Sequence, residues 1–209
     1  MWSKFLLLYY TVIHLKAIQL FYQLWYRLKS KWPIKPNYGY SYNNVVKLKW
    51  VDSIFNLQTY IGDHKFRFLN IEHQFKPSID WNFNVHKKLW TYNLNYFDYL
   101  NQETMTKTDG LVLMKYYVNG YESLKDGKDP YPTSLRLINW IKFIAKHEIS
   151  DTQIFEVLRE DANRLSKNLE YHLLGNHLLE NGFALWFAAH LFKDKKFLQK
   201  ATSILYKQL

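Results

Sequence analysis

Apolar residues recur at helical spacing over most of the chain. At the start, Leu8, Val12, Leu15, Ile18, Tyr22 and Trp25 or Tyr26 fall on one stripe, which predicts an amphipathic helix over residues 1–30 that packs on the rest of the domain. The apolar run Phe5 to Ile13 is too short to cross a bilayer, is followed by His14 and Lys16, and lacks a small-residue cleavage site. A cleaved export signal and a helix lying on a membrane surface stay open beside the packed helix. Residues 31–90 read as irregular: Trp32, Pro33, Pro36, Asn37 and Gly39 break the helix, and only Phe66 to Ile71 alternates like a short strand.

From Asn93 the period becomes helical and stays so. Asp109 is expected to cap a helix running through Tyr121. Gly127 to Pro132 form a turn-rich break, and Pro132, Thr133 and Ser134 open a helix ending near His147. Ser150 to Gln153 read as a capping box, followed by the buried stripe Ile154, Leu158, Leu165 and Leu169. Gly175 ends that helix. The next, from Asn176 or His177, is apolar on most of its circumference (Leu178, Leu179, Phe183, Leu185, Trp186, Ala189) and is expected to be buried on nearly all sides. One more begins at Asp194. Helices of this length joined by short turns predict an all-α fold of stacked helical hairpins.

Composition narrows the chemistry. The 209 residues contain no cysteine, which excludes disulfide scaffolds, thiolate metal sites and cysteine nucleophiles. Trp, Tyr and Phe number 8, 17 and 14, an aromatic load divided between core and any ligand surface. The net charge of +10 lies almost wholly before residue 91. Such a basic segment suits an anionic polymer or lipid, though charge alone names neither. No phosphate loop, zinc-binding helix, nucleophile elbow or nucleic-acid signature accompanies it, so neither a cofactor nor a nucleic-acid partner is expected.

Three stretches carry candidate chemistry. In residues 169–182, Asn176 and His177 follow the helix-breaking Gly175, and Glu180 shares a helix face with His177, where it can orient the imidazole. The plainer reading is an N-cap and a core histidine. In residues 129–143, Arg136 and Asn139 share a face beside Trp140; Arg suits a carboxylate and Trp a sugar face, or all three are a solvated face with a core Trp. Tyr92, Asn95 and Tyr96 combine aromatic and amide groups as carbohydrate grooves do, or as an aromatic helix core does.

LWTYNLNYFDYL (89–100), YPTSLRLINWIKF (131–143) and LEYHLLGNHLLENGFAL (169–185), in this order, resemble the N-terminal region of the heparinase II/III-like polysaccharide lyases. The resemblance implies an incomplete (α/α) toroid over residues 31–209, with the β-sandwich domain of full-length relatives absent. It implies β-elimination on a uronic-acid polysaccharide. Asn176, aided by Arg136, would neutralise the substrate carboxylate, and His177 would be the base or a second carboxylate partner, with Glu180 holding it. Arg136, Asn139, Trp140, Tyr92, Asn95 and Tyr96 would bind the polymer. The family's proton-donating tyrosine lies several tens of residues beyond the Asn-His pair, where this sequence has only Tyr206. The expectation is thus half of a toroid, aggregation-prone, with little or no lyase activity alone and the other half as a partner. The alternative is a non-catalytic helical module that binds acidic polysaccharide. A periplasmic location follows from the resemblance alone, and without a convincing export signal the cytoplasm is equally compatible.

Overall fold

The computed structural model describes residues 6, 9, 10, 13–29, 45–51 and 55–209. The described elements are α1 (Ala17–Lys29), β1 (Tyr60–Gly62), β2 (Lys65–Phe68), β3 (Ile71–Gln74), α2 (Lys88–Tyr96), α3 (Lys107–Gly120), α4 (Pro130–His147), α5 (Thr152–Lys167), α6 (Gly175–Phe192) and α7 (Lys195–Gln208). The protein is therefore mostly helical, with one small antiparallel sheet in the order β1-β2-β3 inside the segment expected to be irregular. Residues 31–44 and 52–54 of that segment lie outside the described residues.

The Phe66 to Ile71 alternation covers a strand, a turn and the start of the next strand. Phe66 and Phe68 point into the core while Lys65 and Arg67 face out and pair with Glu72. Leu69 and Asn70 both have positive φ, the backbone a two-residue hairpin turn needs to match strand twist. The buried Gln102 holds the sheet to the helices: its Oε1 accepts from the Thr59 and Tyr60 N–H groups at 3.1 Å each, and its Nε2 donates to Tyr60 O at 2.9 Å.

Local signals at helix starts explain most boundaries. Thr106, not Asp109, caps α3. Its Oγ1 accepts from Asp109 N at 3.1 Å and donates to Asp109 Oδ2 at 2.7 Å, so Asp109 braces the cap from the third helical position. Asp151 caps α5 through Ile154 N, and Asp194 caps α7 through the N–H groups of Lys196 and Phe197. Asp129 stands at the cap of α4 but caps nothing, because its carboxylate is taken by Tyr92 and Lys88 of α2. The helix after Asp151 ends at Lys167, well before Gly175, and Leu169 belongs to the connecting loop.

Helix α4 lies at the centre, packed on α2, α5 and α6, while α6 and α7 form a hairpin joined by two residues. Trp81, Phe97, Tyr117 and Trp140 meet edge to face or stacked between α2, α3 and α4. A second aromatic cluster of Phe66, Phe68, Phe75 and Trp90 lies under the sheet. Helix α6 is less enclosed than its composition predicts: Trp186 is exposed and Phe183 and Phe187 are half-buried.

Through this core runs one ionic link. Arg136 and Asp161 are both fully buried. The Arg136 Nε and Nη2 atoms lie 2.8 Å from Asp161 Oδ2, Nη1 donates to Gly127 O at 2.9 Å and Asn95 O at 3.3 Å, and Nη2 donates to Thr133 Oγ1 at 3.3 Å. Tyr121 Oη donates to the second carboxylate oxygen at 2.7 Å, and the guanidinium lies 4.8 Å from the Tyr117 ring centroid. Burial works against the guanidinium charge, but Asp161 and the neighbouring Tyr117 and Tyr121 favour it, and the net shift is upward. Gly127 must be glycine here, since a Cβ would fall 2.2 Å from Asn95 Oδ1.

Removing one partner leaves an uncompensated buried charge, so Arg136→Met should cost about 3–5 kcal/mol in urea unfolding. Adding Asp161→Leu should recover much of that loss, because both charges then leave the core together.

Candidate functional site

The loop from Asn168 to Leu174 and the first turn of α6 bring the Asn-His segment to the surface. Leu174 has φ 60° and ψ −160°, a backbone region that side chains strongly disfavour, and Gly175 follows at φ 52°. This pair of left-handed residues turns the chain sharply into α6. Asn176 is exposed in the first turn, and His177 beside it keeps 43% of its side-chain surface open.

The carboxylate that orients His177 is Glu170 rather than Glu180. His177 Nδ1 lies 3.1 Å from Glu170 Oε1. In the tautomer that carries its proton on Nδ1, the imidazole donates to Glu170 and Nε2 keeps a lone pair. Glu170 is itself buried and held: Asn181 Nδ2 donates to its Oε2 at 2.9 Å, and its own N–H donates to Asn181 Oδ1 at 2.8 Å. Asn181 Nδ2 also donates to Ser134 Oγ at 3.0 Å, and that hydroxyl donates to Pro130 O at 3.0 Å. The imidazole is thereby fixed through four residues to the first turn of α4. Tyr131, from the same turn, places its ring centroid 4.4 Å from that of His177.

A band of tyrosines continues from Tyr131. Its ring centroid lies 5.8 Å from Tyr96, which lies 6.3 Å from Tyr92. The Tyr92 hydroxyl donates to Asp129, and Lys88 Nζ lies 2.9 Å from the same carboxylate. Burial, then the hydrogen bond to Asp129, pushes the Tyr92 hydroxyl up to about 12, and burial raises Tyr131 as well, so both are neutral donors at physiological pH.

The remaining expected binding residues are interior. Arg136, Trp140 and Asn95 are fully buried and Asn139 nearly so. Asn95 Nδ2 donates to Trp81 O at 2.9 Å and Thr91 O at 2.8 Å; Asn139 Nδ2 donates to Tyr96 O at 3.0 Å and Asp98 Oδ1 at 2.5 Å. These side chains are bonded within the interior and offer no surface to a ligand. Arg136 in particular spends its charge on Asp161, which corrects its expected place beside a substrate carboxylate. Tyr96 is buried except for an edge, leaving Tyr92 and Tyr131 as the open rings.

Glu180 is half-buried one turn into α6. Burial raises its carboxyl, Lys142 opposes that, and Asp98 adds to it. Asp98 is raised by its own burial, against the Asn139 hydrogen bond and Lys142. Spacing along α6 identified Asn176, His177 and Glu180 as a group. It missed Glu170, Asn181, Ser134 and Tyr131, whose approach depends on a loop and on the neighbouring helix α4. No group of three or more metal-ligating side chains occurs among the described residues.

Compared with known proteins, the chain matches no family model, no curated protein and no solved structure.

The raised Glu180 carboxyl predicts a pH effect of definite sign. Above the ordinary value of 4.5 the unfolded chain sheds this proton while the folded one retains it, so stability falls as pH rises through that window. Glu180→Gln should raise the melting temperature near neutral pH and leave it unchanged near pH 4, as followed by thermal circular dichroism.

Proposed function

We propose that this chain is the substrate-binding helical part of a polysaccharide lyase that acts on a uronic-acid polymer by β-elimination. One observation carries the reading: an exposed Asn176 amide stands next to a half-open His177 whose Nδ1 is fixed by buried Glu170, beside a tyrosine band that ends at an ion pair. The stacked hairpins α4 to α7 are compatible with a segment of an (α/α) toroid, and the sheet with an embellishment of it.

The difficulty in the reaction is the weak acidity of the C5 proton beside the sugar carboxylate. An amide hydrogen bond from Asn176 to that carboxylate stabilises the charge that develops there as the proton leaves. The Nε2 lone pair of His177 takes the C5 proton, and Glu170 stabilises the imidazolium that results. The C5–H electron pair then forms the C4–C5 double bond as the C4–O bond breaks. Tyr131 and Tyr92 offer ring faces to neighbouring sugars and Tyr131 also a hydroxyl donor, while the Tyr92 hydroxyl and Lys88 are held by Asp129. Arg136 takes no direct part and instead positions α4. The departing C4 oxygen takes its proton from water.

The test pairs affinity electrophoresis on alginate, heparan sulfate and other polyuronates with the ultraviolet absorbance of unsaturated product. The proposal predicts binding to one of them. It also predicts that any slow product formation falls about 100-fold or more in His177→Ala or Asn176→Ala, with binding largely kept. Failure to bind every polyuronate, or turnover indifferent to both substitutions, would contradict it. Binding that is lost with Tyr92→Ala or Tyr131→Ala, without product from any polymer, would favour a non-catalytic polysaccharide-binding module.

A further inference from the structure

Helix α1 uses one side to reach the protein and leaves the other uncovered. On the inner side, the Tyr22 ring stacks on Tyr171 at 4.7 Å, Tyr26 Oη donates to Leu169 O, and Gln19 Nε2 lies 3.4 Å from the carbonyls of His172 and Leu173. The predicted stripe of Ile18, Tyr22 and Trp25 or Tyr26 is thus split: the two tyrosines pack, while Ile18 and Trp25 do not. With Phe21, Leu24 and Leu28 they form the outer face, each between 43% and 62% exposed. At about 100° per residue these five lie within an arc of roughly 120°. Leu8 and Val12 lie outside the described residues.

An apolar strip of this kind marks an interaction surface, and charge identifies what it meets. Residues 1–50 contain eight Lys and Arg and no Asp or Glu. Lys16, Arg27 and Lys29 adjoin or belong to α1. A second copy of the chain would bring the same basic segment and a further +10 charge, so self-association through this face is opposed. No described helix is long and apolar enough to cross a membrane. Phe, Leu and Trp on one side of a helix in a segment with basic but no acidic residues is the pattern of a helix lying in the headgroup region.

We infer that α1 binds the surface of an anionic phospholipid bilayer, with Phe21, Leu24, Trp25 and Leu28 entering the acyl boundary and the neighbouring basic residues meeting lipid phosphates. Tyr22 and Tyr26 hold the helix to the loop that precedes Asn176, so the candidate site is carried close to that surface. The inference does not depend on the lyase reading.

The test is vesicle flotation of the whole chain. Vesicles of equal parts phosphatidylglycerol and phosphatidylcholine should carry the protein up. Phosphatidylcholine alone, or about 1 M salt, should weaken binding about tenfold, because headgroup attraction is lost or screened. The double variant Phe21→Gln, Leu24→Gln should also lose about tenfold or more while keeping the wild-type circular dichroism and melting temperature, since both side chains are exposed. Tyr206→Gln, an exposed ring on α7, serves as the control and should bind as wild type. No binding to the anionic vesicles, or undiminished binding by the double variant, would overturn the inference. So would a dimer that the double variant dissociates in the absence of any vesicle binding.

Discussion

A buried arginine must find its counter-charge and its hydrogen-bond acceptors inside the protein, and that requirement organises this fold. Arg136 satisfies it with a carboxylate from α5, carbonyls from α2 and from the turn at Gly127, and a hydroxyl one turn back on α4. Four stretches of chain are set relative to one another by one side chain. Each contact is short-range and directional, so the relative placement is tighter than apolar packing alone would give. The first turn of α4, directly above, is the turn that supplies Tyr131 and Ser134.

The candidate site inherits its geometry from that link. Ser134 bonds Asn181, Asn181 bonds Glu170, and Glu170 fixes His177. The first three are buried and the last is half-open, so rigidity is built in the interior and delivered to the surface at one ring. Charge is divided in the same way. Arg136 is neutralised by Asp161 within the core, whereas Lys88 pairs with Asp129 at the surface and the Asn176 amide is exposed.

Helices were legible in the sequence wherever local chemistry decides them. Asp194 caps the helix expected to begin there, α5 begins within the expected Ser150–Gln153 box although Asp151 rather than Ser150 caps it, and its period buries Ile154, Leu158 and Leu165 as expected. The sheet was less legible, because Phe66 and Phe68 supply only two inward positions and the two-residue turns, Asp63-His64 and Leu69-Asn70, contain no glycine at their left-handed positions. At the site, Asn176 and His177 were legible from their place behind Gly175. Glu170 was not, since helical spacing offered Glu180 as the nearer carboxylate and could not foresee a loop folding back. Arg136 was misread for a related reason: an amphipathic period cannot distinguish an arginine facing ligand from one facing Asp161 across the core. The stripe of α1 failed likewise, because Tyr22 and Tyr26 pack through ring faces and hydroxyls while the more apolar Phe21 and Leu24 stay outside.

The proposed separation between an interior arginine that positions and a surface Asn-His pair that meets substrate can be measured directly. In nitrogen-resolved NMR, a saturated uronate oligosaccharide titrated into the protein should shift the Asn176 side-chain amide and the His177 ring nitrogens. The Arg136 Nε–H signal should remain in place and exchange slowly with solvent. A titration that moved Arg136 while leaving Asn176 and His177 unchanged would contradict this account.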